Sequence, residues 1–224
     1  IGSKDIKRAE ASCFHSILVA FGMALIFTII FLLYSDNIFK LMGATEIILF
    51  GAINYAKVFF AFSIFFWLTH ILASIIRGLG NTLIPSKVIV IGSLCQIILS
   101  YTFTFGINGS FEFGILGPAI SIVMCHIIMM VYLFYYLIFE QDILKIKFHK
   151  FSNCIFIDIM RVGGLGLLNS ITIALTVGVM TGYIGNFGPN ALAGYGIGAR
   201  LELILTPIIF GIGAALTASV SINF

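Results

Sequence analysis

Long apolar stretches with few charged residues recur along this chain, and they restrict its fold more than any other feature of the sequence. A helix needs about 20 apolar residues to cross a bilayer, whereas a membrane strand would show about 10 residues alternating between apolar and polar. The stretches here do not alternate. Only 9% of the residues are charged, against about 25% in a soluble domain, whose surface must face water. The sequence therefore predicts an all-α integral membrane protein.

Six membrane-spanning helices are predicted, near residues 13–34, 52–76, 86–106, 114–139, 160–184 and 198–221. Turn-forming residues separate them, at 35–37, 77–82, 108–110 and 185–190. The longest polar connection, 140–158, is predicted to be a cytoplasmic linker between two helical bundles. Residues 1–139 would then form most of one bundle, and residues 159–224 would begin the next.

Lysine and arginine residues are distributed asymmetrically between the predicted loops, and short cytoplasmic loops are enriched in these two residues. If the six helices alternate in direction, the other side of the membrane receives only Lys40 and, near helix ends, Lys57 and Arg200. The richer side is predicted to be the inner face of the cell membrane, with both ends of this chain inside; it receives residues 4, 7, 8, 77, 87, 145, 147, 150 and 161.

Several classes of function find no support in the sequence. The net charge of +3 is too small to indicate a nucleic-acid partner. The four cysteines are scattered, which favours neither a disulfide framework nor a metal site. Paired acids and the HExxH and GxSxG motifs are missing from the sequence, so an enzyme is not expected. No cofactor, metal or obligate protein partner is predicted; the expected partners are the lipid bilayer and a small organic substrate.

Polar side chains at helical spacing line one face of several predicted spans. Small polar residues of this kind commonly join membrane helices, whereas a water-filled cavity would also need them. Both interpretations stay open for each face. The candidates for a substrate or ion path are His70 in the second span, Gln96 and Ser100 in the third, Ser121 in the fourth, Asn169 and Thr172 in the fifth, and Arg200 and Glu202 at the start of the last. His126 lies off the face that carries Ser121, and we expect it to pack against neighbouring helices.

Four segments together resemble the multidrug and toxic compound extrusion (MATE) family of antiporters. The segment IIRGLGNT at 75–82, followed by Pro85, is similar to the family's LRGLGDT loop. The segment GILGPAIS at 114–121 is similar to its GVAGAALAT helix opening, and NALAGYGIGARLE at 190–202 to its ALAAYGIGLRLE. The opening GSKD, with Arg8 and Ala9, resembles its GAGDRERA loop. The four segments follow in the family's order and cover essentially the whole chain.

The resemblance implies a twelve-helix transporter with two six-helix lobes, of which this chain would be an internal piece. It would hold the last four helices of the first lobe and the first two of the second. The family often carries an Asn and an Asp four residues apart on its fifth helix; the matching positions are Gln96 and Ser100, without the carboxylate. Ser121 matches a polar residue early in the sixth helix. Some members carry a coupling Glu on the seventh helix, where Asn169 is the largest polar group here.

The activity that this resemblance implies is export of amphipathic, cationic small molecules or drugs in exchange for H⁺ or Na⁺. Two other functions stay open: a flippase of the wider superfamily that moves a lipid-linked precursor, and a membrane subunit that transports nothing. A flippase would need a cationic cavity for anionic head groups, to which only Arg200 could contribute in this sequence. A non-transporting subunit would tolerate the loss of the amides at Gln96 and Asn169.

Overall fold

The computed structural model describes residues 6–41, 46–106, 112–141, 149–185 and 187–223, and every regular element in these ranges is helical. Among the predicted features, the turn at 108–110 and the lysines at 4, 145 and 147 lie outside the described residues. The helices are α1 (Ile6–Leu41), α2 (Glu46–Ala61), α3 (Ser63–Gly78), α4 (Leu83–Phe105), α5 (Gly117–Tyr135), α6 (Asn153–Gly185) and α7 (Pro189–Asn223). A 3₁₀ turn (Gly114–Leu116) precedes α5, and a π-helical turn (Tyr136–Glu140) follows it.

Each predicted span falls on one helix or on consecutive helical segments. In the described ranges, α1, α4, the segment Gly114–Glu140 and α6 are each long and apolar enough to cross a membrane, and α2 with α3 forms a fifth crossing if the bent pair is one span. The last predicted span lies within α7, a helix of 35 residues. The prediction of an all-helical membrane protein is confirmed, and the chain is a multi-pass membrane protein.

The turn predicted at 35–37 is wrong, because α1 continues through it to Leu41. Ser35 is 2% exposed, so its hydroxyl faces the packed interior. One turn further on, Lys40 forms an ion pair of 2.6 Å with Asp36 on the surface of the same helix. Such i,i+4 pairs support a helix, and here they outweigh the turn tendency of the Ser-Asp-Asn sequence.

The second predicted span is not one straight helix: it bends by 51° at Phe62, between α2 and α3. Neither Gly nor Pro occupies the break, so the sequence offers no local signal for it. The hydroxyl of Thr28 on α1 donates to the carbonyl of Phe60, at 2.6 Å. Ser63, the first residue of α3, donates to the carbonyl of Ala24. Side chains and carbonyls of α1 thus pair the polar groups at the break, which a bilayer would otherwise leave unsatisfied.

Helices α1 to α5 belong to one compact unit, which extends to Ser152. Its core joins α3 to the end of α5, where the fully buried side chains of Leu72, Ala73 and Ile76 pack against Leu133 and Leu137. Helices α6 and α7 form the second unit, residues 153–224. The boundary between the units falls inside the range 140–158 that was predicted as a linker, but α6 already begins at Asn153, so the last part of that range is helical.

The loop between α3 and α4 is held to the end of α5 by one side chain. Gly80 has a φ of +89°, a conformation that glycine adopts at no steric cost. The amide nitrogen of Asn81 donates to the hydroxyl of Tyr136, at 2.8 Å. Its carbonyl oxygen accepts hydrogen bonds from the backbone N–H groups of Leu83 and Ile84, which opens α4. Asn81 therefore bonds the first N–H groups of α4 and connects this end of the helix to the π-helical turn after α5.

Candidate functional site

An apolar groove of about 410 Å³ runs between α4 and α5. Its one charged residue among those described is Lys87, in the second turn of α4. Tyr132 adds an aromatic ring with a hydroxyl, and two of the four cysteines, which are all free, contribute apolar surface. The lining is therefore apolar apart from the ammonium group of Lys87 and the hydroxyl of Tyr132. Its lining consists of Ile84, Lys87, Val88, Ile91, Gly92, Cys95, Leu99, Cys125, Ile128, Met129 and Tyr132.

Two glycines allow α4 and α5 to approach closely around this groove. A Cβ atom added to Gly117 would lie 2.6 Å from the backbone carbon of Phe103 and 2.6 Å from the backbone nitrogen of Thr104. A Cβ atom added to Gly92 would meet only the side chain of Met129, at 2.3 Å from the sulfur. The first crossing is therefore backbone against backbone, and the second is backbone against a flexible side chain. Small residues at crossings are the usual means by which membrane helices approach.

The predicted polar residues of the first unit lie beside this groove or behind it. Gln96 is half-buried and lies one turn beyond Gly92 on α4, and Ser100 follows one turn later. Ser121 on α5 is fully buried, and its hydroxyl donates to the carbonyl of Gly117 in its own helix, at 2.8 Å. No hydrogen bond among the described residues joins Ser121 to either α4 residue, so the three side chains share a helix pair without forming a network.

Two histidines meet between α3 and α5, and sequence reasoning did not bring them together. The rings of His70 and His126 have centroids 6.1 Å apart, and the ring of Phe66 lies 4.5 Å from the first and 4.9 Å from the second. His126 packs in the interior, as expected, and its Nδ1–H donates to the carbonyl of Ile122. Thr69 donates to the backbone carbonyl of His126 across the helix interface, at 3.1 Å. Fifty-six residues separate the two rings, so no local pattern could reveal the pair.

In the second unit, hydroxyl groups on the polar face predicted for α6 donate hydrogen bonds to carbonyl groups of the same helix. The hydroxyl of Thr172 donates to the carbonyl of Leu168, and that of Thr176 donates to the carbonyl of Thr172. Such bonds to the preceding turn neutralise hydroxyl groups in apolar surroundings. Arg200 is exposed in the fourth turn of α7, a helix that begins eleven residues before it, at Pro189. The side chains of Asn169 and Glu202 lie outside the described residues.

Taken by itself, the site offers shape and polarity rather than reactive groups. No cluster of three or more His, Cys, Asp or Glu side chains that could hold a metal ion occurs in the described ranges. What the described residues provide is an apolar groove, a half-buried side chain at Gln96 and two histidine rings in contact with Phe66.

Comparison with known proteins finds similarity to multidrug export proteins and to MATE-family sequences. The family model described as MatE matches residues 1–102. The chain is 26% identical over 226 residues to the multidrug export protein MepA of Staphylococcus aureus, covering all of this chain and 49% of the relative. It is 24% identical over 231 residues to the probable multidrug resistance protein YoeA of Bacillus subtilis, covering 99% of this chain and 50% of the relative.

Solved structures of multidrug resistance MATE family transporters share the fold. The chain matches an inward-facing conformation with a TM-score of 0.84 and 24% identity, covering 99% of this chain and 49% of the other. It matches an outward-facing conformation with a TM-score of 0.81 and 23% identity, covering 97% and 48%. The chain spans about half the length of the relatives it matches. The family model over residues 1–102, the relatives and the shared fold agree with the resemblance of the four sequence segments to MATE transporters.

Proposed function

We propose that this chain is part of a secondary antiporter that exports amphipathic, cationic small molecules or drugs in exchange for H⁺ or Na⁺. The observation that carries the proposal is the similarity to multidrug export proteins along the entire chain. The proposal concerns the whole protein, because the relatives are about twice as long as this chain. The chain's own residues support it through the groove between α4 and α5 and through the polar residues beside it.

The groove suits an amphipathic guest because its lining is almost wholly apolar apart from Lys87 and the hydroxyl of Tyr132. The chain contains 23 Phe, 8 Tyr and one Trp, and aromatic faces attract organic cations. A flippase for a lipid-linked precursor receives less support, since anionic head groups need several cations and the described lining supplies one. A subunit that transports nothing would need neither the groove nor the amide of Gln96 beside it.

Coupling requires that ion and substrate favour different conformations, since only a difference in affinity shifts a conformational equilibrium. Gln96 and Ser100 occupy the positions that the resemblance assigns to the ion network, and neither side chain can release a proton at physiological pH. These two residues would therefore bind an ion or water through their oxygen atoms, and a titrating carboxylate would come from another part of the protein.

The test is flux in inside-out membrane vesicles that contain the full-length protein, with ethidium as the cationic probe. We expect ethidium accumulation that collapses when one of the two imposed gradients, H⁺ or Na⁺, is removed. Accumulation that persists without either gradient would refute antiport. The Gln96→Leu variant should lose most of the flux at normal expression. Thr102→Val on the same helix should keep the flux, because the Thr102 hydroxyl donates only to the carbonyl of Ile98 within α4. Full flux in Gln96→Leu and in Asn169→Leu would show that these amides take no part in transport, and a wild type that accumulates no ethidium under either gradient would favour a non-transporting subunit.

A further inference from the structure

His15 on α1 connects two parts of the first unit that are far apart in the sequence. It lies in the third turn of α1 and is fully buried. Its Nδ1 atom lies 2.7 Å from the carbonyl oxygen of Ala11, and its Nε2 atom lies 2.8 Å from the backbone nitrogen of Ser152. Ser152 is the last residue of the first unit, immediately before α6 begins. One imidazole therefore joins the start of α1 to the point where the chain leaves this unit.

The two partners of the ring fix its protonation state. A carbonyl oxygen can only accept, so Nδ1 carries the hydrogen that is donated to Ala11. A backbone N–H can only donate, so Nε2 must offer its lone pair to Ser152. Only the neutral imidazole protonated at Nδ1 satisfies both partners.

Protonation at Nε2 would place two N–H groups against each other, at His15 and at Ser152. His15 is fully buried, so an added hydrogen on its Nε2 atom would have no acceptor, and a buried donor without a partner is costly. We propose that His15 is a proton-sensitive latch, which holds residues 149–152 against α1 while its ring is neutral and releases them when the ring gains a proton.

The surroundings of the ring favour this geometry. The ring of Phe14 packs edge-on against it at 5.7 Å, and the ring of Phe151 covers it at 5.2 Å. The titratable neighbours are Glu10 on α1 and His149 on the held segment, which lie 3.8 Å apart. Further charged groups on the first turn of α1 and on the held segment are Lys7, Arg8 and Lys150, while Asp36 and Lys40 lie at the far end of α1. Protonation of His149 would strengthen its attraction to Glu10, so this pair opposes the release and must be separated from it by experiment.

The direct observable is hydrogen exchange of the Ser152 amide in the purified protein. The protection factor, corrected for the intrinsic effect of pH on exchange, would be compared at about pH 7.5 and about pH 5, a range in which histidine changes charge. Losing one buried hydrogen bond lowers protection by about tenfold or more. The amide of Gly106, which donates to the carbonyl of Thr102 and faces no titrating acceptor, provides the internal reference.

Comparing four proteins separates the effect of His15 from that of the other histidines. The wild type should lose protection at Ser152 on acidification, and His149→Gln should lose at least as much because the opposing pair is gone. His126→Gln is the matched control, since that ring also donates to its own helix, and it should behave as the wild type. His15→Gln should show no dependence on pH. Constant protection in the wild type, or a response that vanishes in His149→Gln, would overturn the proposal. Neither outcome depends on whether the protein transports a drug.

Discussion

The hydroxyl of Thr28 donates a hydrogen bond of 2.6 Å to the carbonyl oxygen of Phe60, which lies at the break between α2 and α3. The same hydroxyl lies 3.1 Å from that of Ser63, on the other side of the break. A bend in a membrane helix leaves carbonyl groups without their usual partners. In this protein a neighbouring helix supplies the missing donor, so the bend is a property of the packed unit.

Replacing Thr28 with Val keeps the shape of the side chain and removes the donor. We expect the free energy of unfolding to fall by about 1–2 kcal/mol, because the Phe60 carbonyl stays buried without that partner. The measurement is unfolding of the purified protein by increasing amounts of sodium dodecyl sulfate in mixed micelles. Thr102→Val removes a hydroxyl that is bonded only within α4 and should cost much less. Equal losses in the two variants would contradict this role of Thr28.

Replacing Asn81 with Ala should destabilise the protein by about 1–2 kcal/mol, since it removes the acceptor for the first two N–H groups of α4 together with the bond to Tyr136. Asn81→Asp should cost less, because a carboxylate still accepts from Leu83 and Ile84 and can accept from the tyrosine hydroxyl. A double-mutant cycle with Tyr136→Phe measures the coupling, which we expect to be about 0.5–1.5 kcal/mol. Additive losses in that cycle would show that the two side chains act independently.

The two glycines between α4 and α5 should respond very differently to alanine. Gly117→Ala forces a methyl group against the backbone of Phe103 and Thr104, and we expect a loss of about 1–3 kcal/mol. Gly92→Ala meets a methionine side chain that can move, and the better helix propensity of alanine, about 1 kcal/mol, offsets the crowding. Unfolding in mixed micelles distinguishes the two. A Gly92→Ala variant as unstable as Gly117→Ala would show that Met129 is held rigidly.

Orientation in the membrane is tested by single cysteines in a background without the four native ones. Lys87→Cys and Lys150→Cys should react with an impermeant maleimide only in inside-out vesicles, because both lysines are predicted to be cytoplasmic. Lys40→Cys should react only from the outer face of intact cells. Labelling of Lys87→Cys and Lys150→Cys from opposite faces would rule out the predicted arrangement of helices.

Hydropathy located the helices because a spanning segment must be apolar along its whole length, whatever it packs against. Turn-forming residues predicted the ends of helices less reliably. The turn predicted at 77–82 is correct, and Gly80 adopts a positive φ there. The turn predicted at 35–37 is wrong, since α1 continues through it with Ser35 buried and Asp36 paired with Lys40. The bend at Phe62 could not be predicted, because the side chain that pairs the Phe60 carbonyl at the break, Thr28, lies on another helix.

The candidate site was predicted as residues but not as an arrangement. Helical spacing predicts a polar face that includes Thr172, yet spacing does not reveal that the hydroxyls of Thr172 and Thr176 are each bonded to their own helix. Ser121 likewise bonds within its helix rather than across to Gln96. The meeting of His70 and His126 and the bond from Ser152 to His15 depend on contacts between distant segments, which one sequence does not encode locally.

The crossing at Gly117 sets how α4 and α5 can move against each other. Two backbones in contact have no side chains that yield, so the helices can pivot there more easily than they can slide. Lys87 lies sixteen residues before Phe103 on α4, about 24 Å along the helix axis. A small rotation of α4 about this crossing therefore displaces the helix most at the Lys87 end. The groove would widen first beside Lys87 and least near Gly117.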